Sequence, residues 1–192
     1  MNITAMYFSG TGTTKKVTAA IADELTEIKI SRDEAAAGEN PGSIKAGIKP
    51  WQRADDIDFT PPAARREIYR FTPDDLVVFG VPVIAGRVPN VLLKFLDTLQ
   101  GGGALAVPVV LYGNRNFDDA LIELRNILQD RGFYAIGAAA FIGEHSFSRI
   151  LAAGRPDSSD MELSRDFARK LAGKIRRLGA AGLREAAPVP VD

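Results

Sequence analysis

Four hydroxyl residues and two glycines occupy six consecutive positions near the start of the chain: Ser9, Gly10, Thr11, Gly12, Thr13 and Thr14. They follow an apolar run at 3–8 and precede a stretch at 13–25 in which Val17, Ala20, Ile21 and Leu25 share one helical face. The first amides of a helix have no partner inside it and carry the positive end of the peptide dipoles, so an anion there gains hydrogen bonds and field together. The hydroxyls add neutral donors, and glycine lets the backbone bend and approach a ligand where a Cβ would collide. An ordinary helix cap needs only one such residue. This density reads as a cradle for one phosphate. It fits poorly with a triphosphatase loop, because Lys15 and Lys16 follow threonine and the two glycines are too close together. The dinucleotide pattern also fits poorly, since Lys15 stands where its third glycine belongs.

Composition narrows the chemistry. With no cysteine and one histidine, the 192-residue chain has no disulfide or thiolate, no cysteine-held cluster, and a poor ligand set for zinc or haem; no metal site is expected. An organic cofactor is then the simplest carrier of any redox chemistry. Lys plus Arg and Asp plus Glu balance at 24 each, which gives no electrostatic footprint for nucleic acid or an anionic membrane. The N-terminus has no basic region followed by a long apolar segment, and no apolar run approaches the roughly 20 residues of a membrane span. A soluble cytoplasmic protein is expected, with no nucleic-acid or membrane partner.

The elements that must position this loop follow from periodicity. Apolar runs at 3–8, 76–83, 107–112 and 134–142 read as buried strands, and 56–59 is preferred to 27–30 for the remaining one. Helical patterns lie at 13–25, at 89–99 with Pro89 in the first turn, and at 117–129, ended by Gly132 after Arg131. The last helix opens with Ser159 and Glu162 in capping-box spacing and stops at Gly179 after Arg176 and Arg177. Such alternation demands a parallel sheet covered on both faces. Residues 31–54 carry Gly38, Pro41, Gly42, Gly47 and Pro50 without sustained period and read as a long inserted connection, either a lid or a surface insertion. Residues 1–179 are thus one α/β domain, and 180–192 a frayed tail.

Ligands of open parallel sheets bind beyond the carboxyl ends of the strands. Three more loops converge there. Pro82, Val83, Ile84, Ala85, Gly86 and Arg87 form an apolar turn suited to flank a flat ring, or a plain strand-to-helix connection. Gly113, Asn114, Arg115, Asn116 and Phe117 start a polar loop. In it Asn114 and Arg115 suit a pyrimidine edge, Phe117 a stack or a helix anchor, and Asn116, Asp118 and Asp119 a cap. The loop after the last strand holds the lone His145 beside Glu144, a structural residue or a cofactor or substrate contact.

The stretch from Ser9 to Thr14 resembles the phosphate loop of the flavodoxin family. The stretches at 79–90, 111–121 and 143–147 extend the resemblance to residues 3–178, most closely to the flavodoxin domain of ferredoxin-fused flavodoxins. The resemblance implies a flavodoxin-like three-layer sandwich with a five-stranded parallel sheet of order 2-1-3-4-5, and FMN as cofactor. It places the phosphate on the first loop and the flavin ring among the other three. The family often has tyrosine where this chain has Ile84, and the ferredoxin half is absent, so a stand-alone flavodoxin-like protein is expected. Gly86 and Gly113 are implied near N5. Ordinary members are strongly acidic and this chain is balanced, so Arg87 and Arg115 are assigned to the N1/O2 edge, where they would raise the potential. The expected function is electron transfer to a redox partner protein or small-molecule acceptor. An NAD(P)H-dependent quinone or small-molecule reductase is the enzymatic alternative, and a flavodoxin-fold module that no longer holds flavin the third reading. A homodimer is left open.

Overall fold

Side chains of a strand alternate between the two faces of its sheet, so a strand buried on both faces reads as one continuous apolar run. In the computed structural model, which describes residues 1–39, 51–148 and 150–185, this holds for β1 (Asn2–Tyr7), β4 (Asp75–Pro82) and β5 (Leu105–Tyr112). Ile3, Ala5 and Tyr7 of β1, with Leu76 and Val78 of β4, face a core shared with α1 (Thr13–Glu39) and α4 (Ser158–Glu185). Met6, Val77, Phe79 and Val81 face the opposite core, under α2 (Asn90–Leu96) and α3 (Ala120–Asp130). The result is three layers, helix, sheet and helix.

All strand pairs are parallel, and seven strand segments fill five positions. β2 (Gln52–Arg53) and β3 (Ile57–Asp58) both pair with β1, from Asn2↔Gln52 to Tyr7↔Asp58. β6 (Tyr134–Ala135) and β7 (Ala139–Ile142) likewise share β5. Each edge strand is broken once, and the spatial order is the expected 2-1-3-4-5. Side chains take over at the breaks. After β2 the Arg53 guanidinium donates to the Ala54 carbonyl at 2.6 Å and pairs with Asp23 and Asp56. Between β6 and β7, Lys174 of α4 donates to the Ile136 carbonyl at 2.7 Å.

The preferred second strand at 56–59 is found as β3, while 27–30 lie inside α1. That helix also continues through 31–39, where good helix formers such as Glu34 and Ala35 precede Gly38; this stretch was expected to be part of the connection. Residues 40–50 of the expected insertion lie outside the described residues, and its far end enters the fold, with Trp51 only 6% exposed in the core against α1 and α4. Residues 180–185 of the expected tail are helical, and the rest of it lies outside the described residues.

Helix ends correct further expectations. The reciprocal cap of α4 is made by Asp157 and Asp160, two residues before the Ser159 and Glu162 spacing. The Asp160 amide donates to Asp157 Oδ1 at 3.0 Å, and the Asp157 amide to Asp160 Oδ2 at 2.9 Å. Either carboxylate serves such a box, so hydroxyl spacing alone misplaced it. The stop at Gly179 is a kink, φ 67° and ψ 168°, after which the helix resumes. The α3 terminus ends as anticipated, with Gly132 at φ 85° and the Phe133 amide returning to the Leu128 carbonyl at 3.1 Å. Its start at Ala120 is later than expected, and Asp119 in the cap position makes no capping side-chain bond.

Candidate functional site

The loops that follow β1, β4, β5 and β7 open side by side at the carboxyl edge of the sheet. Backbone bonds just past the strands fix their relative positions: Phe8 to the Gly80 carbonyl at 3.0 Å, Val83 to Leu111 at 2.7 Å, and Gly143 to Tyr112 at 2.9 Å. Between these loops lie two clefts of about 140 Å³ and about 180 Å³. They share Val83, Ile84, Tyr112, Gly113 and Ser146, so they form one elongated trough.

Its first end is the hydroxyl loop. Among the described residues the backbone amides of Gly10, Thr11, Gly12, Thr13 and Thr14 make no hydrogen bond, whereas Lys15 donates to Ser9 Oγ at 3.1 Å and Lys16 to the Gly12 carbonyl at 3.0 Å. Five successive donors at the start of a long helix are thus left for something outside the chain. The Ser9 amide is anchored on Thr60 Oγ1 at 2.8 Å, a bond no local signal in the sequence announces. Thr11 and Thr13 hydroxyls lie 3.2 Å apart, and Thr14 is 1% exposed. The neighbouring lysines are turned elsewhere: Lys15 lies over the Tyr7 ring and Lys16 donates to the Pro156 carbonyl at 2.9 Å. This end therefore offers neutral donors and helix field to an anion.

The other end is a slot. One wall is a two-residue turn in which Ile84 and Arg87 exchange backbone bonds of 3.0 and 3.1 Å, with Ala85 and Gly86 at φ 52° and 76°. The rest of its lining is Tyr112, Gly113, Arg115, Asn116 and Asp118 from the loop after β5, and His145, Ser146 and Phe147 from the loop after β7. Asn116 Oδ1 accepts from the Asp118 amide at 3.2 Å. Non-glycine residues with positive φ, an uncommon conformation, occur only in these loops among the described residues: Ala85, Asn114, Asp118 and Ala152. His145 Nδ1 accepts from the amides of Phe147 and Ser148, both at 3.2 Å, which puts the neutral ring's proton on Nε2. Ser148 Oγ accepts from the Ile150 and Leu151 amides, and Glu144 Oε1 from Gly154. The wall is braced by its own side chains.

Of the residues anticipated from sequence, Gly10, Thr11, Thr13, Thr14, Pro82, Val83, Ile84, Ala85, Gly86, Gly113, Arg115, Asn116 and His145 line the trough. Ser9 and Gly12 shape the loop without lining it, and Asn114 sits at φ 61° in the turn below. Arg87 is turned away from the trough. Its guanidinium grips Glu123 of α3 at 2.7 and 2.9 Å, and Glu123 also accepts the Val88 amide at 2.8 Å. The Arg87 bond holds the Glu123 carboxyl below its ordinary pKa, against the smaller opposing effect of burial. Phe117 lies edge-on to Tyr112 at 5.6 Å, outside the trough lining. Sequence reading did not single out Phe8, Leu111 and Tyr112, and from the stretch 143–147, which the resemblance set beside the ring, it named only Glu144 and His145, not Ser146 or Phe147.

Among the described residues there is no group of acidic, histidine or cysteine side chains placed to hold a metal ion, and no helix long and apolar enough to cross a membrane. No protein-family model matches the chain, and no curated protein matches it. Solved structures do. A flavodoxin from the domain Archaea aligns over 92% of this chain and 99% of its own, with a TM-score of 0.55 at 15% identity. The apo form of an NADH:FMN oxidoreductase covers 90% and 89%, with a TM-score of 0.57 at 18% identity. The flavodoxin of Streptococcus pneumoniae TIGR4 covers 91% and 99%, with 0.52 at 16% identity. At these identities the likeness concerns architecture, and with the parallel sheet and its strand order it shows that the chain has a flavodoxin-like fold.

Proposed function

We propose that the trough holds FMN and that the protein is a flavodoxin-like electron-transfer flavoprotein. One observation carries this reading: five successive unpaired amides lie at one end of a trough whose other end is a slot between residues 84–86 and 145–147. A monophosphate on a flat ring matches both ends. Gly10 to Thr14 would hold the phosphate through backbone amides and hydroxyls. Val83, Ile84 and Ala85 would exclude water from one side of the ring, with Arg115 and Asn116 facing its polar edge. FMN, when bound, supplies electron chemistry that a chain without cysteine and with one histidine does not offer by itself. The flavodoxins and the NADH:FMN oxidoreductase among the solved structures support the same choice of cofactor.

The assignment of charge at the ring narrows to one arginine. With Arg87 committed to Glu123, Arg115 is the cation that lines the slot, and among the described residues its guanidinium has no hydrogen-bond or ion-pair partner. The electron acceptor is a redox protein or a small molecule. The NADH:FMN oxidoreductase neighbour favours a second reading, reduction of a quinone or other small molecule with NAD(P)H, and turnover in that assay separates the two.

Titration of the purified chain with FMN and with riboflavin tests the reading. FMN should bind with a shifted flavin absorbance, and riboflavin, which lacks the phosphate, at least about tenfold more weakly, or about 1.4 kcal/mol. Failure to take up FMN overturns the proposal.

A further inference from the structure

Phe147 is an anomaly on this surface. It is 95% exposed, the most exposed of the large apolar side chains described, yet its backbone is among the best braced in the loops of the site. Its amide is held by His145 Nδ1, the next amide by the same atom, and its ring meets the His145 ring at 6.3 Å in an edge contact. A flexible surface loop would leave such a side chain unplaced. Here the chain's only histidine holds the backbone from which the aromatic projects and meets its ring edge-on. Phe147 lines the same cleft as Ile84, which is itself 53% exposed. Two exposed apolar side chains lining one cleft both leave water when a flat apolar surface enters it.

We infer that Phe147 is the aromatic cover of the flavin ring, closing the slot opposite Ile84, and that His145 is the positioning residue that presents it. This rests on the FMN reading above. His145 acts through Phe147, its Nδ1 being occupied by the loop amides.

The test is flavin affinity in the full chain with Phe147→Ala, Phe147→Leu and Phe147→Trp, each checked for an unchanged thermal midpoint without ligand. Ala is expected to weaken FMN and riboflavin by the same factor, about tenfold, because the lost contact is to the ring that both share. Leu should recover part of this. Trp should bind at least as tightly as Phe and quench the fluorescence of the bound flavin; Trp51, the chain's own tryptophan, is buried in the core. His145→Ala should weaken both ligands in the same ratio while leaving inorganic phosphate binding unchanged. If the unmodified chain binds FMN and Phe147→Ala stays within about twofold of it, the cover is wrong and the FMN reading stands. If the unmodified chain takes up no FMN, both fall.

Discussion

At the hydroxyl end of the trough a Cβ added to Gly10 or Gly12 would meet nothing within 4 Å, whereas at the slot end one added to Gly113 would stand 2.8 Å from His145 Cδ2 and 2.9 Å from its Cα. At Gly86 it would stand 2.5 Å from Asp118 Oδ2. The same residue type thus serves two purposes. At the slot, glycine lets two loops of the protein touch, so it belongs to folding. At the hydroxyl loop nothing in the chain stands where a Cβ would go, so packing does not call for glycine there, and on the FMN reading it belongs to the ligand. Gly12 combines the two, since its φ of 87° also disfavours a side chain there.

Substitutions should separate these purposes. The largest effect is expected from Gly113→Ala, where the obstructing atoms include backbone and the loop after β7 must move. Urea unfolding of the ligand-free chain should show a loss of about 1–3 kcal/mol, and an unchanged midpoint would break the contrast. Gly10→Ala should leave that stability within about 0.5 kcal/mol while weakening FMN about tenfold, roughly 1.4 kcal/mol. Riboflavin affinity should hardly change. A parallel loss for riboflavin would mean the loop does not hold the phosphate.

Acidification probes the slot end through Glu123, which Arg87 holds below the usual carboxylate range. A carboxyl whose folded pKa is depressed binds fewer protons folded than unfolded, so its contribution is present above the unfolded value of about 4.3 and is lost as pH falls through the folded one. The urea midpoint should therefore drop between about pH 7 and about pH 3, and drop less in Glu123→Gln. Asp160, lowered by its bond to Arg155, behaves in the same sense and supplies part of the remainder. An equal drop in the variant would remove Glu123 from the account. The smallest change in stability, within about 0.5 kcal/mol, belongs to Arg115→Gln. On the FMN reading its signature is a lower flavin potential in a redox titration, and an unmoved potential would take Arg115 out of the ring's field.

Much of the architecture was legible because it rests on periodicity. The runs that became β1, β4 and β5 are apolar enough to be buried on both faces, and the alternation with helices demanded a parallel sheet, whose order only the family resemblance implied. The hydroxyl loop was legible because its donors and glycines are contiguous. What escaped reading depended on partners distant in sequence. Thr60 anchors Ser9 across 51 positions, and Glu123 takes Arg87 across 36. The segment β2, two residues long, carries no period to detect and fell within the expected connection, while the run at 134–142 was read as one strand without its break between β6 and β7. The cap of α4 slipped by two residues because aspartates and hydroxyls compete for that role on equal chemical terms.

Local chemistry therefore determined the parallel α/β class, the donor-rich first loop and the absence of thiol chemistry, since these follow from residue type and near-neighbour spacing alone. Only the packed structure decided which side chains share the trough. It turned Arg87 outward to a carboxylate on α3, left Arg115 at the slot, and set Phe147 and Ile84 in the lining of one cleft. The reason is geometric. A side chain's direction depends on which distant group satisfies its charge or hydrogen bonds, and that partner is known only once the loops have been brought together.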